Sequence, residues 1–229
     1  MKSLNILLTL LLVPLTFSCT KVDNYAAPDA GINGTIIDNV TNSGIQTEQP
    51  DGIRIRLLQS GYENVIPIDF WVKPDGSFEN KMLFSGTYKV IPVEGAFLKP
   101  DTAIVTIKGG IKTVNFTVTP FLNIIASDPT VVNNNIIVHY TISKPSAVTD
   151  NIITSLTMAS KMPAVSHAVN DYTAIRDLSG MTNNDIVNAQ FTDTLKGLPK
   201  GTFYVRVGAS TDNGAGKFNY SKVYTVIMP

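Results

Sequence analysis

Apolar and polar residues alternate in short runs along most of this chain, and apolar spacing of the helical kind is almost absent. A period of two sends successive side chains to opposite faces of an extended strand, so each run reads as a strand with one buried and one solvated face. In "GIRIRLL", Ile53, Ile55 and Leu57 share one face, and Arg54 and Arg56 the other. In "IPIDFWVKPDG", Ile68, Phe70 and Val72 alternate with Asp69, Trp71 and Lys73, which puts the single tryptophan on the outward side. Val114, Phe116 and Val118 alternate with Asn115, Thr117 and Thr119 in the same way. Asp75-Gly76 has the composition of a hairpin turn, with Phe78 beginning the return strand. Further on, Ile136, Val138, Tyr140 and Ile142 form an inward set, as do Phe203, Val205, Val207 and Ala209, and residues 223 to 227 make a closing strand.

Pro120 interrupts this pattern, which restarts at Phe121. The expected architecture is all-β: two antiparallel β-sandwich domains in series, spanning residues 32–120 and 121–229. Between Ser143 and Asn188 the pattern is least regular. There "SLTMASK" is a strand candidate, and "TAIRDLSG" is compatible with a short helix.

The first eighteen residues break the alternation. They hold one charge, Lys2, ahead of "LNILLTLLLVPLTFS", a run of secretory-signal length and short of the roughly 20 residues that span a bilayer. Residues 1–18 are therefore read as a signal peptide. Ser18-Cys19 then gives a small residue before the chain's only cysteine, the arrangement of a lipoprotein processing site, so lipidation is expected at Cys19. A triacylated N-terminus anchors stably where one acyl chain holds only marginally. Residues 19–31, polar and carrying Pro28 and Gly31, read as a linker that lifts the folded part off the membrane.

Lys+Arg and Asp+Glu number 18 each, so no basic surface points to nucleic acid as a partner. With Cys19 committed to lipid, neither a disulfide nor a nucleophilic thiol remains in the monomer. His139 and His167 are the only histidines, 28 positions apart; His139 falls on the outward face of its strand and reads as solvated. No hydrolase elbow, zincin helix or phosphate loop occurs, and no cofactor or metal site is expected. Carboxylate pairs such as Asp69 with Asp75, or Asp177 with Asp185, arise by chance in a chain with this many acids. Asp212, Asn213 and Gly214 read as a hairpin turn in preference to a calcium loop. Aromatic side chains are the more informative feature, because sugar rings stack on Trp and Tyr. Trp71, flanked by Asp69 and Lys73, is the leading ligand-binding candidate, with packing against a neighbour as the other reading. Tyr62 and Tyr172 are secondary candidates, and Tyr204 and Tyr220 weaker ones.

The segment "KPDGSFENKMLFSGTYKVIPV", with "GTIID" before it and "IKTVNFTV" after it, resembles a carboxypeptidase regulatory-like, transthyretin-like sandwich, a module without catalytic residues of its own. Related surface domains carry a lysine-asparagine crosslink that needs a first-strand lysine; "GINGTIID" has none, so no crosslink is expected. The C-terminal "TLKGLPKGTFYVRVGASTDNGAGKFNYSKVYTVIMP" resembles the last strands of an immunoglobulin or fibronectin type III sandwich. Taken end to end, the chain resembles a Bacteroidetes two-domain lipoprotein family of unknown function associated with polysaccharide utilisation loci. That resemblance implies a non-catalytic, surface-exposed outer-membrane lipoprotein that binds or presents glycan beside a TonB-dependent transporter and its substrate-binding lipoprotein. The alternative it leaves open is a structural lipoprotein that packs on that transporter or on another envelope protein.

Overall fold

The computed structural model describes residues 26–214 and 216–229. The expected signal peptide and Cys19 lie outside the described residues. Among the described residues, no helix is long and apolar enough to cross a membrane.

The expected all-β fold is present. In the first sandwich the strands are β1 (Ala30–Asp38), β2 (Arg54–Gln59), β3 (Ile68–Trp71), β4 (Ser77–Leu83), β5 (Gly86–Val93), β6 (Ala103–Ile107), β7 (Gly110–Thr113) and β8 (Phe116–Val118). They form two sheets, one ordered β4-β1-β7 with β8 also on β1, the other β3-β2-β5-β6. The inner faces close on Ile32, Ile36, Ile55, Leu57, Phe78 and Val90, each at most 2 % exposed. This is the apolar half of the alternation read from the sequence, removed from water between two sheets. The first strand begins at Ala30, two residues ahead of the expected start.

β1 changes parallel partner along its length, from β7 at Ala30–Asn33 to β8 at Ile36–Asp38. At the changeover the backbone of Val114 presses on Gly34 so closely that a Cβ there would lie 1.8 Å from its carbonyl oxygen. The Asn115 side chain supplies the missing ladder acceptor, taking a hydrogen bond from Thr35 N–H at 3.0 Å. Gly76 also requires glycine: its φ is +84°, and a Cβ would meet the Ile45 backbone at 2.8 Å.

The second sandwich contains β9 (Asn123–Ala126), β10 (Thr130–Val132), β11 (Asn135–Ser143), β12 (Ile152–Ser160), β13 (Tyr172–Asp177), helix α1 (Asn183–Val187), β14 (Phe191–Leu195), β15 (Gly201–Thr211), β16 (Phe218–Tyr220) and β17 (Tyr224–Met228). One sheet runs β10-β11-β14 with β9 on β11; the other runs β13-β12-β15-β16 with β17 on β15. "TAIRDLSG" is not helical: its first half is β13, held antiparallel to β12 from Tyr172 opposite Ala159 to Asp177 opposite Thr154. The helix forms a little later, where Thr182 caps it by accepting from Asp185 N–H at 3.2 Å.

A buried polar cluster ties the two sheets of this sandwich together. Asp193, 6 % exposed, accepts from Tyr140 Oη at 3.0 Å and Thr157 Oγ1 at 2.8 Å, and pairs with Arg176. Burial pushes the Tyr140 phenol up to about 12, so at neutral pH it is the neutral donor this cluster requires.

The two sandwiches are joined by more than the chain. Arg206, 2 % exposed, donates from Nε to Ser221 O and from Nη1 to Thr47 O, both at 2.9 Å, and its guanidinium lies 4.3 Å from the Tyr220 ring centroid. The Tyr220 hydroxyl donates to Glu48 at 2.8 Å, with Glu48 only 6 % exposed. Burial pushes the Arg206 guanidinium down to about 10, still a cation at neutral pH. Asn219 adds a further tie, donating to Ala96 O at 2.8 Å and accepting from Leu122 N–H at 3.0 Å.

Candidate functional site

Of the ligand-binding candidates, the outer face of the β3-β2-β5-β6 sheet brings two together. β3 is an edge strand of that sheet, and its register on β2 sets Trp71 opposite Arg54 and Asp69 opposite Arg56. Trp71 is 40 % exposed, the outward aromatic that the alternation predicts. The Arg54 guanidinium lies 5.3 Å from the centre of its ring, within cation-π range.

Asp69 is not free to bind a ligand in the way its position beside Trp71 implied. Arg56 donates to both of its oxygens, at 2.9 and 2.7 Å, and Arg54 approaches at 3.6 Å. The Arg56 hydrogen bond, outweighing partial burial, holds the Asp69 carboxyl below its ordinary range. Arg54 also pairs with Glu94, and this hydrogen bond raises the Arg54 pKa. The face therefore carries an array of alternating sign, Arg56, Asp69, Arg54 and Glu94, set around the indole.

Beyond Arg54 the register continues to Val93, and beyond Arg56 to Ile91, both half-buried on β5. Ile91, Val93 and Glu94 also line a depression of about 260 Å³ that runs on to Phe97, Lys99 and Pro100. An exposed indole, fixed polar groups and an apolar hollow thus lie within one sheet face. This combination can stack a flat apolar ring face and hydrogen-bond its edge, as a sugar ring requires.

The remaining candidates fall elsewhere. Lys73 lies two residues past the end of β3, exposed, and lines a shallow polar groove on the other sheet with Asn33, Ser77 and Glu79. Its own N–H is held by Ser77 O at 2.7 Å in the hairpin turn, and this turn ends the alternation that set it beside Trp71. Tyr62 projects from the loop between β2 and β3 and is 62 % exposed. Tyr172 belongs to the second sandwich and packs edge-on to Phe203, ring centroids 5.8 Å apart, at the margin of the core. It is a packing residue and not part of this face.

The carboxylate pairs noted in the sequence are each occupied locally. Asp75 accepts from Ser77 N–H at 3.0 Å and Oγ at 2.7 Å, Asp177 does the same with Ser179, and Asp185 accepts from Thr182. Asp212 braces the start of β12 through Asn151, at 2.7 and 3.0 Å. Among the described residues, no three His, Cys, Asp or Glu side chains come together as a metal site. His139 is exposed and hydrogen-bonded to Thr192 Oγ1 at 2.7 Å. Arg54, Arg56 and Glu94 are the site residues that inspection for ligand chemistry missed. The arginines were legible as the outward half of "RIR", but nothing local in the sequence pairs Glu94 with Arg54, 40 positions away.

Fold and site together define an all-β protein of two joined sandwiches with an exposed aromatic and ion-paired sheet face. Residues 30–119 match the family described as "Protein of unknown function (DUF3823) N-terminal domain". The solved structures that share the fold include the following three. A DUF3823 family protein from Bacteroides uniformis has a TM-score of 0.79 at 23 % identity. A second Bacteroides uniformis protein, described as a "putative carbohydrate binding protein", has 0.75 at 20 %. A DUF3823 family protein from Parabacteroides merdae has 0.74 at 22 %. Each likeness covers 88 % of this chain and 100 % of the other. No curated protein matches the chain.

Proposed function

We propose that this is a non-catalytic carbohydrate-binding lipoprotein, anchored in the outer membrane through Cys19 and exposed at the cell surface. It holds glycan against the Trp71 face for an uptake complex of a TonB-dependent transporter and its substrate-binding lipoprotein. The observation that carries the reading is the Trp71 indole, 40 % exposed beside an apolar hollow, with Arg54 fixed against its ring. A Bacteroides uniformis protein of the same fold, described in terms of carbohydrate binding, supports it. The carboxylates of this face, Asp69 and Glu94, are held in ion pairs with Arg56 and Arg54, in keeping with a binding role.

Affinity electrophoresis through gels containing candidate polysaccharides tests the proposal. Retardation by at least one glycan is expected, and Trp71→Ala should abolish it, since stacking on a single aromatic is worth about 0.5 to 1.5 kcal/mol beyond its buried area. Unretarded migration through every glycan, or retardation indifferent to Trp71→Ala, would refute binding at this face.

A further inference from the structure

The chain enters the first sandwich through a pole ringed with exposed apolar side chains. β1 runs from Ala30 at this pole to Asp38, which meets Asn123 at the seam, so the pole faces away from the second sandwich. Asp29 organises it. Its carboxylate accepts from Ser85 N–H at 3.1 Å and Ser85 Oγ at 3.0 Å, its carbonyl accepts from Gly110 N–H at 2.9 Å, and Ser85 Oγ accepts from Gly109 N–H at 2.9 Å. The β4–β5 and β6–β7 turns are thereby tied to the entering chain. The β2–β3 loop opens at the same end, where Ser60 N–H donates to Thr87 O at 2.8 Å.

Around this entry point stand Tyr62, Val65 and Ile66 of the β2–β3 loop, Met82 and Phe84 at the β4–β5 turn, and Ile111, which lies beside Gly31 of β1. All are exposed, Ile66 and Met82 at 82 % and 72 %. Single apolar residues are ordinary on a surface, but a cluster drawn from three separate segments is a contact surface that lacks its partner. Lys108 and Lys112 stand at its edge, and among the described residues neither has an ion pair. Of the acids nearby, Glu79 is taken by Lys81 at 3.2 Å and Asp29 by Ser85, which leaves Glu63 of the β2–β3 loop.

What covers the pole follows from where the tether leads. Cys19 precedes Ala30 by eleven residues, a length of chain that reaches at most about 40 Å. Acyl chains on Cys19 therefore keep this end of the fold within reach of lipid, at an effective concentration on the order of millimolar, where even a weak apolar contact forms. A protein partner could dock on any face; a lipid surface meets the end that the anchor presents to it. Lipid phosphates also supply the counterions that the protein does not give Lys108 and Lys112. We infer that this pole is a membrane-docking surface, whose apolar side chains enter the headgroup region of the anchoring bilayer while Lys108 and Lys112 meet lipid phosphates. The inference rests on the Cys19 anchor proposed above and goes beyond the Trp71 face. It makes the linker a lead into lipid contact in place of a spacer, and it stands the first sandwich on its pole with the second sandwich outermost. Trp71, opposite Arg54 at the start of β2, then lies at the end of its sheet away from the lipid, open to glycan.

Fluorescence quenching on the acylated full-length protein tests the inference, in vesicles of phosphatidylethanolamine and phosphatidylglycerol that carry a doxyl quencher high on the acyl chain. With Cys19 occupied by lipid, an introduced cysteine is the only free thiol, so Phe84→Cys takes a single bimane label. That label should lose most of its emission, while one at Ile175→Cys, 74 % exposed on the second sandwich, keeps it. Ile66→Ser with Met82→Ser, both at exposed positions that spare the core, should restore much of the Phe84 signal, as should Lys108→Glu with Lys112→Glu. Equal quenching at Phe84 and Ile175, quenching unmoved by both pairs of substitutions, or a Phe84 label shielded from water by a second copy and not quenched by lipid would each overturn the docking surface and leave the anchor standing. Mass spectrometry that finds no acyl group on the mature chain would overturn the anchor and, with it, the docking.

Discussion

Replacing Arg206 by methionine removes a cation buried in the seam while nearly preserving side-chain length. Two carbonyls, Ser221 O and Thr47 O, lose donors at 2.9 Å, and the Tyr220 ring loses the guanidinium 4.3 Å from its centroid. Hydrogen bonds from a charged donor contribute about 1.5 to 3 kcal/mol each, so the gross loss is roughly 3 to 6 kcal/mol. Against this stands relief from dehydrating a guanidinium, whose Nη2 is buried without a partner in the native protein. The balance is a destabilisation of about 3 kcal/mol, a large part of the 5 to 15 kcal/mol typical of folded proteins. With a urea slope near 3 kcal/mol/M for a chain of this size, the midpoint should fall by about 1 M. Because the Thr47 bond crosses between the sandwiches, the curve should also broaden or split as they begin to unfold separately. Urea titration followed by circular dichroism measures both effects. A midpoint unchanged or raised in Arg206→Met would mean that desolvation cancels the bonds, and that apolar packing holds the seam.

Other consequences are as direct. Gly34→Ala, with its Cβ driven against the Val114 carbonyl, should cost about 3 kcal/mol or more; Gly180→Ala, with open space around it, should stay within about 0.5 kcal/mol by thermal melting. Asp193→Ala removes the acceptor shared by Tyr140, Thr157 and Arg176, leaving Tyr140 with Ser155 and Arg176 with Thr192 O, and should lower stability by about 3 kcal/mol, with Asp193→Asn milder; a melting curve like wild type for the alanine variant would contradict a structural role for the cluster. The folded pKa of Asp69 lies below its ordinary 3.8, so its ion pairs stabilise fully above that value and the contribution fades as pH falls from 3.8 through the folded pKa. Asp69→Asn should therefore cost less than about 1 kcal/mol at pH 7, the pair being partly exposed, and close to nothing well below pH 3.8. Equal differences at the two pH values would exclude the mechanism.

What the sequence made legible is what depends on a period of two. Ile53, Ile55 and Leu57 are buried, as are Ile136, Val138, Tyr140 and Ile142, and Trp71 does look outward. The same alternation along β15 sends Phe203, Val205 and Val207 into the core and Tyr204 and Arg206 to the opposite face, the one a two-layer sandwich normally shows to water. Yet Arg206 is buried, because Thr47 and Val165, 159 and 41 positions away, close over that side. No local pattern reports a contact at that separation. The reading of "TAIRDLSG" as a short helix failed for a related reason. Its conformation is set by pairing with β12, whose residues lie across a long loop, and β13 is an edge strand with one outward side. Lys73 was misplaced because the alternation was carried two residues into a turn.

On the proposed glycan-binding role, the charges on the Trp71 face bear on the kind of glycan it would hold. Its two guanidiniums and two carboxylates pair among themselves, Arg56 with Asp69 and Arg54 with both Asp69 and Glu94, so the array has no net charge and its field is short-ranged. Such a face offers no long-range attraction to uronic acids or sulfated sugars; it offers an indole and groups whose positions are already fixed by one another. Fixed positions lower the ordering cost of binding, which for a shallow exposed site decides whether a weak stacking contact suffices. The proposal therefore predicts neutral polysaccharide over anionic, with Arg54 positioning the ring of Trp71 more than receiving ligand charge.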